Sequence, residues 1–398
     1  MIAGALFWIS VAGILYVHLG YPLLLAVSAY LRPKRLAATA AESLPFVSFV
    51  IAAHNEEAVI AKKLENTLAC DYPPERLQVL VASEGSSDRT PDIVAEFLNR
   101  GVEQSFRPER RGKVTAINGA MEHARGEVVV FSDANNFYEP TALRRLVAPF
   151  ADPEVGATTG AKTVRRDGSA GNFEGLYWRY ESFIKRMETR LGSCIGAAGE
   201  IFAVRRSLIE PIPAEVINDD FYLAMRVVCR GHRVVYVPDA RSWEPASPSL
   251  AEERVRRARI VAGRFQICGM AASVFPWRRP VLLWQLFSHK LARPLIPWAM
   301  LTALAANVVA WSRPPAPGSG WLQLESPLAV SLLAGQALFY VVAVVGWRVV
   351  PQGRLSKLFV LPAFVASSNA AAISGLVGYV TGRQTAVWRR VSRTRQAV

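Results

Sequence analysis

Oxygen-bearing side chains fall at three similar places along the first third of the chain: Asn55 with Glu56, Glu84 with Asp88, and Asp133 with Asn135. Lys113 lies among them, and a carboxylate pair, Asp219 and Asp220, follows later. Asp133 and Asn135 offer hard oxygen donors of the kind that suit Mg²⁺ or Mn²⁺, an ion able to bridge a diphosphate and take up leaving-group charge. Asp219 and Asp220 stand ahead of a run with helical apolar spacing. There a carboxylate can serve as an N-cap, or as the base that takes a proton from a weakly nucleophilic hydroxyl. Neither G-x-G-x-x-G nor a P-loop is present to wrap phosphates in backbone N–H groups. The cysteines Cys70, Cys194, Cys229 and Cys268 are far apart without paired metal-ligand spacing, so reduced thiols are expected.

The elements around these residues predict how they meet. FVSFVIAAHNEE is an apolar run ending in polar residues, followed by a helical pattern over 58–68 with Glu56 and Glu57 at its positive end. LQVLVASEGSSDRT repeats the arrangement, with a helix over 91–99, and a helix over 114–124 precedes a third strand, EVVVFSDAN. Alternating strands and helices predict an α/β fold, a mostly parallel doubly wound sheet. Ligands bind such sheets beyond the C-terminal strand ends, where the polar residues sit. Any one of them alone would serve as a cap or turn former; together at equivalent places they predict one pocket.

Both chain ends are apolar. Residues 1–31 contain no Lys, Arg, Asp or Glu, long enough to cross a bilayer core of roughly 30 Å. Arg32, Lys34 and Arg35 follow where a signal peptide would have its small-residue cleavage site, so an uncleaved transmembrane helix is expected, with its basic C-terminal end in the cytosol. A basic linker over 32–44 leads to a cytosolic domain over 45–280. Residues 281–380 then read as an interfacial helix over 281–289 and three membrane segments near 291–311, 327–347 and 358–380. Three crossings from the cytosol would place the basic tail, 381–398, outside, against the positive-inside rule; the last segment, with Pro362 and Asn369, is the first suspect. The net charge of +14 fits Arg-rich stretches beside lipid headgroups better than nucleic acid, so membrane lipid and not nucleic acid is the expected partner.

The strings in order resemble family-2 glycosyltransferases of the GT-A fold over about residues 45–266. AAHNEE, with Ala53, Asn55 and Glu56, resembles the opening strand motif. SEGSSDRT resembles D-G-S-S-D-x-T with Glu84 in place of Asp, and RGKVTAIN, with Lys113 and Asn118, resembles G-K-x-x-A-L-N. FSDAN resembles the metal-binding D-x-D with Asn135 as its second member. NDDFYL resembles the T-E-D segment, and RVRRARIVAG takes the place of Q-x-x-R-W. GAAGEIFAVRRS, around Gly196 and Gly199, resembles the segment that passes beneath the acceptor, where small residues permit close approach.

The resemblance implies a bacterial, multi-pass inner-membrane enzyme that moves a sugar from a nucleotide-sugar, a UDP-sugar, to a glycan or lipid-linked acceptor in cell-surface or exopolysaccharide synthesis. It implies that Ala53, Asn55, Glu56, Glu84, Asp88, Lys113, Asn118 and Asp133 serve the donor, and that Asp133 and Asn135 hold Mg²⁺ or Mn²⁺. Asp220 would be the base of an inverting displacement, beside Asp219, with the cation and Arg259 stabilising the departing diphosphate. Gly196, Gly199, Arg256 and Ile260 would face the acceptor. Aligning Arg259 with the Arg of Q-x-x-R-W puts Arg256 at the Gln and Ile260 at the Trp, removing the aromatic platform on which processive synthases stack sugar rings. Tyr177, Trp178, Tyr180 and Trp243 are the aromatics that could compensate. Two other readings remain: transfer to a polyprenyl phosphate, which needs no base, and a non-catalytic membrane scaffold or nucleotide sensor.

Overall fold

The computed structural model describes residues 2–36, 44–165, 172–245, 250–348 and 356–384. Most of the expected basic linker (37–43) and most of the basic tail (385–398, with Arg389, Arg390, Arg393 and Arg395) lie outside the described residues.

One mixed sheet carries the polar strand ends. Its strands are β1 (Val47–Ala53), β2 (Leu77–Glu84), β3 (Val102–Arg107), β4 (Val128–Asp133), β5 (Phe137–Tyr138), β6 (Val155–Arg165), β7 (Phe202–Arg205) and β8 (Arg233–Pro245), in spatial order β3-β2-β1-β4-β7-β6-β8-β5. The first four lie parallel, and β7 then pairs antiparallel with both β4 and β6. The third strand expected from the sequence is therefore β4. The strand before it, VEQSFR, escapes a hydrophobic pattern search because at the sheet edge only Val102 is fully buried. Side chains on the inner strands are apolar on both faces, as a sheet covered on both sides requires. Phe49, Ile51, Val79, Val81, Val128 and Val130 pack with Ile60 and Leu64 in one core, each contributing roughly 1.5–3 kcal/mol by burial.

Register brings the chemistry to one edge. Ala53 lies opposite Ser83, and Ala52 lies opposite Asp133, so parallel strands end together with Asn55, Glu84 and Asp133 just at or beyond them. The helices that follow are Ile60–Leu68, Thr90–Ala95 and Lys113–Met121, shorter than the expected patterns. Asp219 and Asp220 open the helix Asp219–Cys229.

The chain forms two compact units. Among the described residues, one takes in those of Leu25–Pro248 and Gln266–Gln285; the other takes in those of Met1–Leu24, Ser249–Phe265 and Leu286–Gln384. The second therefore takes in most of the helix Leu250–Gly269, which the sequence reading had placed in the cytosolic domain. Among the described residues, four helical stretches are long and apolar enough to cross a membrane: Ile2–Leu31, Pro280–Ser312, Leu328–Gly346 and Leu361–Val380. The expected interfacial helix and first late crossing are successive parts of one stretch, running through a π-helical turn at Leu286–Leu291. Pro362 lies inside the continuous helix Ser356–Val380. In the second unit the polar residues of that helix serve packing. Ser368 Oγ accepts from Arg257 at 3.0 Å, whose guanidinium also covers the Phe364 ring, and Asn369 donates to Met300 Sδ at 3.0 Å. Gly375 lets the same helix approach Ala258 so closely that a Cβ there would lie 2.5 Å from the Ala258 carbonyl oxygen, a close approach of backbones that only glycine permits.

Candidate active site

The loops after β1 and β2 are tied to each other. Asn55 adopts a left-handed φ of 55°, a conformation asparagine tolerates better than most residues. Its Oδ1 accepts from Ser87 N–H at 2.7 Å, while its own N–H donates to Ser86 Oγ at 3.2 Å. Asp88 accepts from Thr90 N–H and Oγ1 through one oxygen and from Glu57 N–H through the other. Glu56 N–H donates to Thr90 Oγ1 at 2.7 Å. These contacts fix the backbone that Ala53, Asn55, Glu56 and Asp88 were expected to present to a donor.

Glu84 closes β2 with its side chain buried at 4% exposure. Gly85, with φ 58°, draws the strand end against Arg110; a Cβ there would come within 2.5 Å of the arginine side chain and 2.8 Å of its backbone. Glu84 Oε2 accepts from Arg111 N–H at 3.3 Å, whereas Oε1 is buried without a hydrogen-bond partner among the described residues. Burial pushes the carboxyl above the ordinary range, opposed by the Arg111 N–H and the Arg107 and Arg111 charges. A buried acceptor left unmade costs about 1–3 kcal/mol and awaits a donor group.

Lys113 is the hub. From the first turn of its helix the ammonium reaches Asp133 Oδ1 at 2.8 Å and Asp219 Oδ2 at 3.5 Å, joining residues 106 positions apart in sequence. Burial opposes its charge, but Asp133, Asp219 and Asp220 outweigh it and hold the group above the usual lysine range. Lys113 therefore stays protonated. Asp220 accepts from Phe221 N–H at 2.7 Å and from Gly199 N–H at 3.1 Å. Burial first, then the nearby Asp219 and Glu200 charges, push its carboxyl up to about 6, against the pull of Lys113 and the Phe221 N–H. A base near that value is charged at neutral pH yet still basic enough to share a proton in a transition state.

Gly199 packs directly on this carboxylate: a Cβ would lie 3.0 Å from Asp220 Cβ and 3.3 Å from its Oδ2. Gly199→Ala is therefore expected to displace the carboxylate by a few tenths of an ångström. Since a misplacement of about 1 Å can cost on the order of 100-fold, we expect kcat to fall roughly tenfold with donor KM nearly unchanged, measured by steady-state transfer kinetics. Gly196 is engaged differently, its N–H and carbonyl both meeting Cys194 Sγ. Asn118 donates to Ile212 O at 2.8 Å and accepts from Ile212 N–H at 3.0 Å, which makes its amide a backbone clamp in this structure.

Two buried lysines escaped the sequence reading. Lys63 is fully buried, donates to Asn136 O at 2.6 Å and sits over the Phe49 and Tyr138 rings, so it braces the turn carrying Asp133 and Asn135. A lysine in the stripe Ile60, Lys63, Leu64, Thr67 was the available signal, since all four are buried. Lys162 lies buried between Glu200 and Glu244, with Glu244 at 2.8 Å and Glu200 closer. Trp243 stacks on Phe137 with centroids 4.7 Å apart. Arg256, Arg259 and Ile260 belong to the helix Leu250–Gly269. There Arg256 makes a two-pronged pair with Glu253, whose carboxyl burial would raise but Arg256 and Arg257 hold down at about 2.

A metal at this site would have one carboxylate, Asp133, and one amide oxygen, Asn135. Among the described residues no group of three or more His, Cys, Asp or Glu gathers to cage an ion. Two hard oxygens fit Mg²⁺ or Mn²⁺, ions commonly held by one or two protein carboxylates together with substrate phosphates.

A mixed α/β sheet with polar loops at its parallel strand ends and a carboxylate pair alongside is the architecture of a GT-A glycosyltransferase. Residues 45–263 match the family described as "Glycosyltransferase like family 2", and the chain belongs to that family. It is 30% identical over 263 residues to the probable glycosyltransferase YdaM of Bacillus subtilis, covering 62% of each chain. It is 27% identical over 233 residues to the poly-beta-1,6-N-acetyl-D-glucosamine synthase of Staphylococcus aureus, covering 57% of this chain and 56% of the relative. The chain thus spans about three fifths of the length of these curated relatives. Among solved structures, the mannosyltransferase PcManGT of Pyrobaculum calidifontis, in complex with GDP-Man and Mn²⁺, aligns over 95% of this chain and 99% of its own with a TM-score of 0.70 and 25% identity.

Proposed function

We propose that the chain is an inverting transferase that moves a sugar from a nucleotide-sugar, a UDP-sugar, to a hydroxyl of a glycan acceptor at a bacterial inner membrane, its catalytic unit facing the cytosol, in building a cell-surface or exopolysaccharide glycan. The observation that carries this reading is Lys113 held between Asp133 and Asp219, with Asp220 beside it as a carboxylate raised to about 6. One end of the cluster suits a diphosphate with its cation, and the other suits a hydroxyl. Asp220 takes the proton of the acceptor hydroxyl as that oxygen attacks the anomeric carbon from the face opposite the diphosphate, so an α-linked donor gives a β-linked product. Lys113 supplies positive charge to the leaving diphosphate, and Asp133 and Asn135 would hold a Mg²⁺ or Mn²⁺ that would add to it. A base is needed for a hydroxyl acceptor and not for an already ionised phosphate, which favours the glycan over a polyprenyl phosphate.

Glu84 serves the donor base, its unpaired Oε1 accepting an N–H. Glu84→Gln is expected to weaken nucleotide binding roughly 10-fold or more, the range for a hydrogen bond to a charged group, while the ligand-free protein is no less stable; isothermal titration and thermal unfolding check the two. The whole reading is tested by incubating membranes that contain the protein with labelled UDP-sugars and GDP-mannose in Mg²⁺ or Mn²⁺, then sizing and extracting the product. Label in a water-soluble, β-linked glycan is the expected result. Label in an organic-soluble lipid phosphate would overturn the hydroxyl acceptor, transfer from GDP-mannose alone would overturn the uridine donor, and no turnover with any donor would overturn the enzyme reading.

A further inference from the structure

Immediately after the apolar helix Ile2–Leu31 the chain reads Arg32-Pro33-Lys34-Arg35, and the structure shows this segment fastened rather than trailing. Lys34 N–H donates to Arg190 O at 2.8 Å. The nearly buried Arg233 guanidinium donates to Gly192 O at 2.6 Å, Arg35 O at 3.2 Å and Lys34 O at 3.3 Å. Between this segment and the end of the helix Asn172–Leu191 lies a cavity of about 350 Å³, walled by Lys34, Arg35, Arg186, Arg190, Arg233 and Tyr236. Five of its lining residues are cationic, and among the described residues no carboxylate lines it. Its volume is at the lower end of ordinary ligand pockets.

Part of the positive charge is already answered nearby. Lys34 pairs with Glu154 at 2.7 Å, and Arg233 stands 3.7 Å from Asp152 and 3.8 Å from Glu154. Arg190 packs its guanidinium over the Tyr30 ring at 4.2 Å. Arg35 and Arg186 are exposed, so the mouth of the cavity keeps an excess of guanidinium. Arginine forks match phosphate oxygens in pairs, which suits the cavity to a phosphate group. Position selects the kind of phosphate. Arg35 is four residues beyond Leu31, at most about 14 Å of extended chain, so a helix that spans the bilayer holds this pocket at the headgroup layer.

We propose that this pocket binds the phosphate of an anionic phospholipid headgroup and so seats the catalytic unit against the membrane surface. The proposal rests on the reading of Ile2–Leu31 as a membrane span. It is a site separate in sequence from the donor and base residues: none of its lining residues belongs to the Lys113, Asp133, Asp219 and Asp220 cluster.

The full chain in detergent micelles is titrated with phosphatidylglycerol or phosphatidylcholine, and bound lipid is read by native mass spectrometry. One tightly retained phosphatidylglycerol and no comparable phosphatidylcholine is the expected result. The double variant Arg35→Gln with Arg186→Gln is expected to weaken that binding about 30-fold, roughly fivefold for each basic residue near an anionic surface. The same double change at the exposed Arg100 and Arg125 leaves it unchanged if the pocket, rather than overall charge, is responsible. Equal retention by the wild-type chain and the Arg35/Arg186 variant overturns the site, as does equal loss in the Arg100/Arg125 control. Displacement of the lipid by inorganic phosphate at comparable concentration overturns the lipid and assigns the pocket to free phosphate. Reconstitution into phosphatidylcholine vesicles separates the two layers of the argument: insertion without any phosphatidylglycerol preference sinks only the pocket, whereas failure to insert sinks the membrane reading beneath it.

Discussion

Asp220→Asn is expected to reduce sugar transfer by roughly 10²–10⁴-fold, the usual contribution of a positioned general base, while nucleotide affinity stays near wild type. The same substitution is expected to raise thermal stability at pH 8. Because burial and the Asp219 and Glu200 charges push the folded-state carboxyl up to about 6, above its ordinary unfolded value near 3.9, the folded protein binds this proton more tightly than the unfolded chain. Stability from the group is thus present at low pH and is lost as pH rises from about 4 to 6. Asparagine never acquires the charge, so its advantage over wild type grows from about pH 4, is complete above about pH 6 and vanishes below about pH 4. Transfer by the wild type runs the other way, rising as Asp220 ionises through about pH 6. Thermal unfolding at two pH values and a pH–rate profile give the readings; a variant that loses activity and stability together would reveal a structural carboxylate instead.

The second large effect belongs to Lys113→Met. Removing one partner of a buried ion pair costs about 3–5 kcal/mol, reduced here because the lysine side chain keeps 20% exposure and Asp133 keeps 30%. A loss of roughly 2 kcal/mol at neutral pH is expected, together with a fall in transfer of about 100-fold or more. The raised lysine pKa means the ammonium's contribution persists through neutral pH and disappears only in strong alkali. Mn²⁺ should restore more stability to the variant than to the wild type, since a cation binding only the folded state stabilises it by mass action and the variant has no resident charge to displace. Calorimetric unfolding with and without Mn²⁺ checks this; an equal Mn²⁺ shift in both proteins would show that Lys113 and the cation do not share Asp133.

Much of the catalytic half was legible because parallel strands in a covered sheet are written as uninterrupted apolar runs ending in polar residues. FVSFVIAA and VVVFSD are of that kind, and their register delivers Asn55 and Asp133 to one edge. VEQSFR was not legible, since an edge strand needs only one face apolar. Residue type could not separate ligand from brace. Asp88 and Asn118 carry the right atoms, and in the fold they also bond backbone and hydroxyl groups of segments packed beside them. The meeting of Lys113 with Asp219 depends on folding across more than a hundred residues, which no spacing rule encodes. Lys63 and Lys162 were passed over for a related reason: a buried lysine is recognisable only once its cage of rings or carboxylates is seen.

The helix Leu250–Gly269 bears on any attempt to obtain the catalytic part by truncation. A fragment ending near residue 280 would retain that helix but lose the helix Ser356–Val380, and with it Ser368, Phe364 and the Gly375 face against which Ala258 and Arg257 are packed. The exposed remainder would present Ala258 and Val261 beside a guanidinium stripped of its ring, an adhesive strip on the fragment. Solubilising the whole molecule in detergent keeps that packing and is the sounder route to an active preparation.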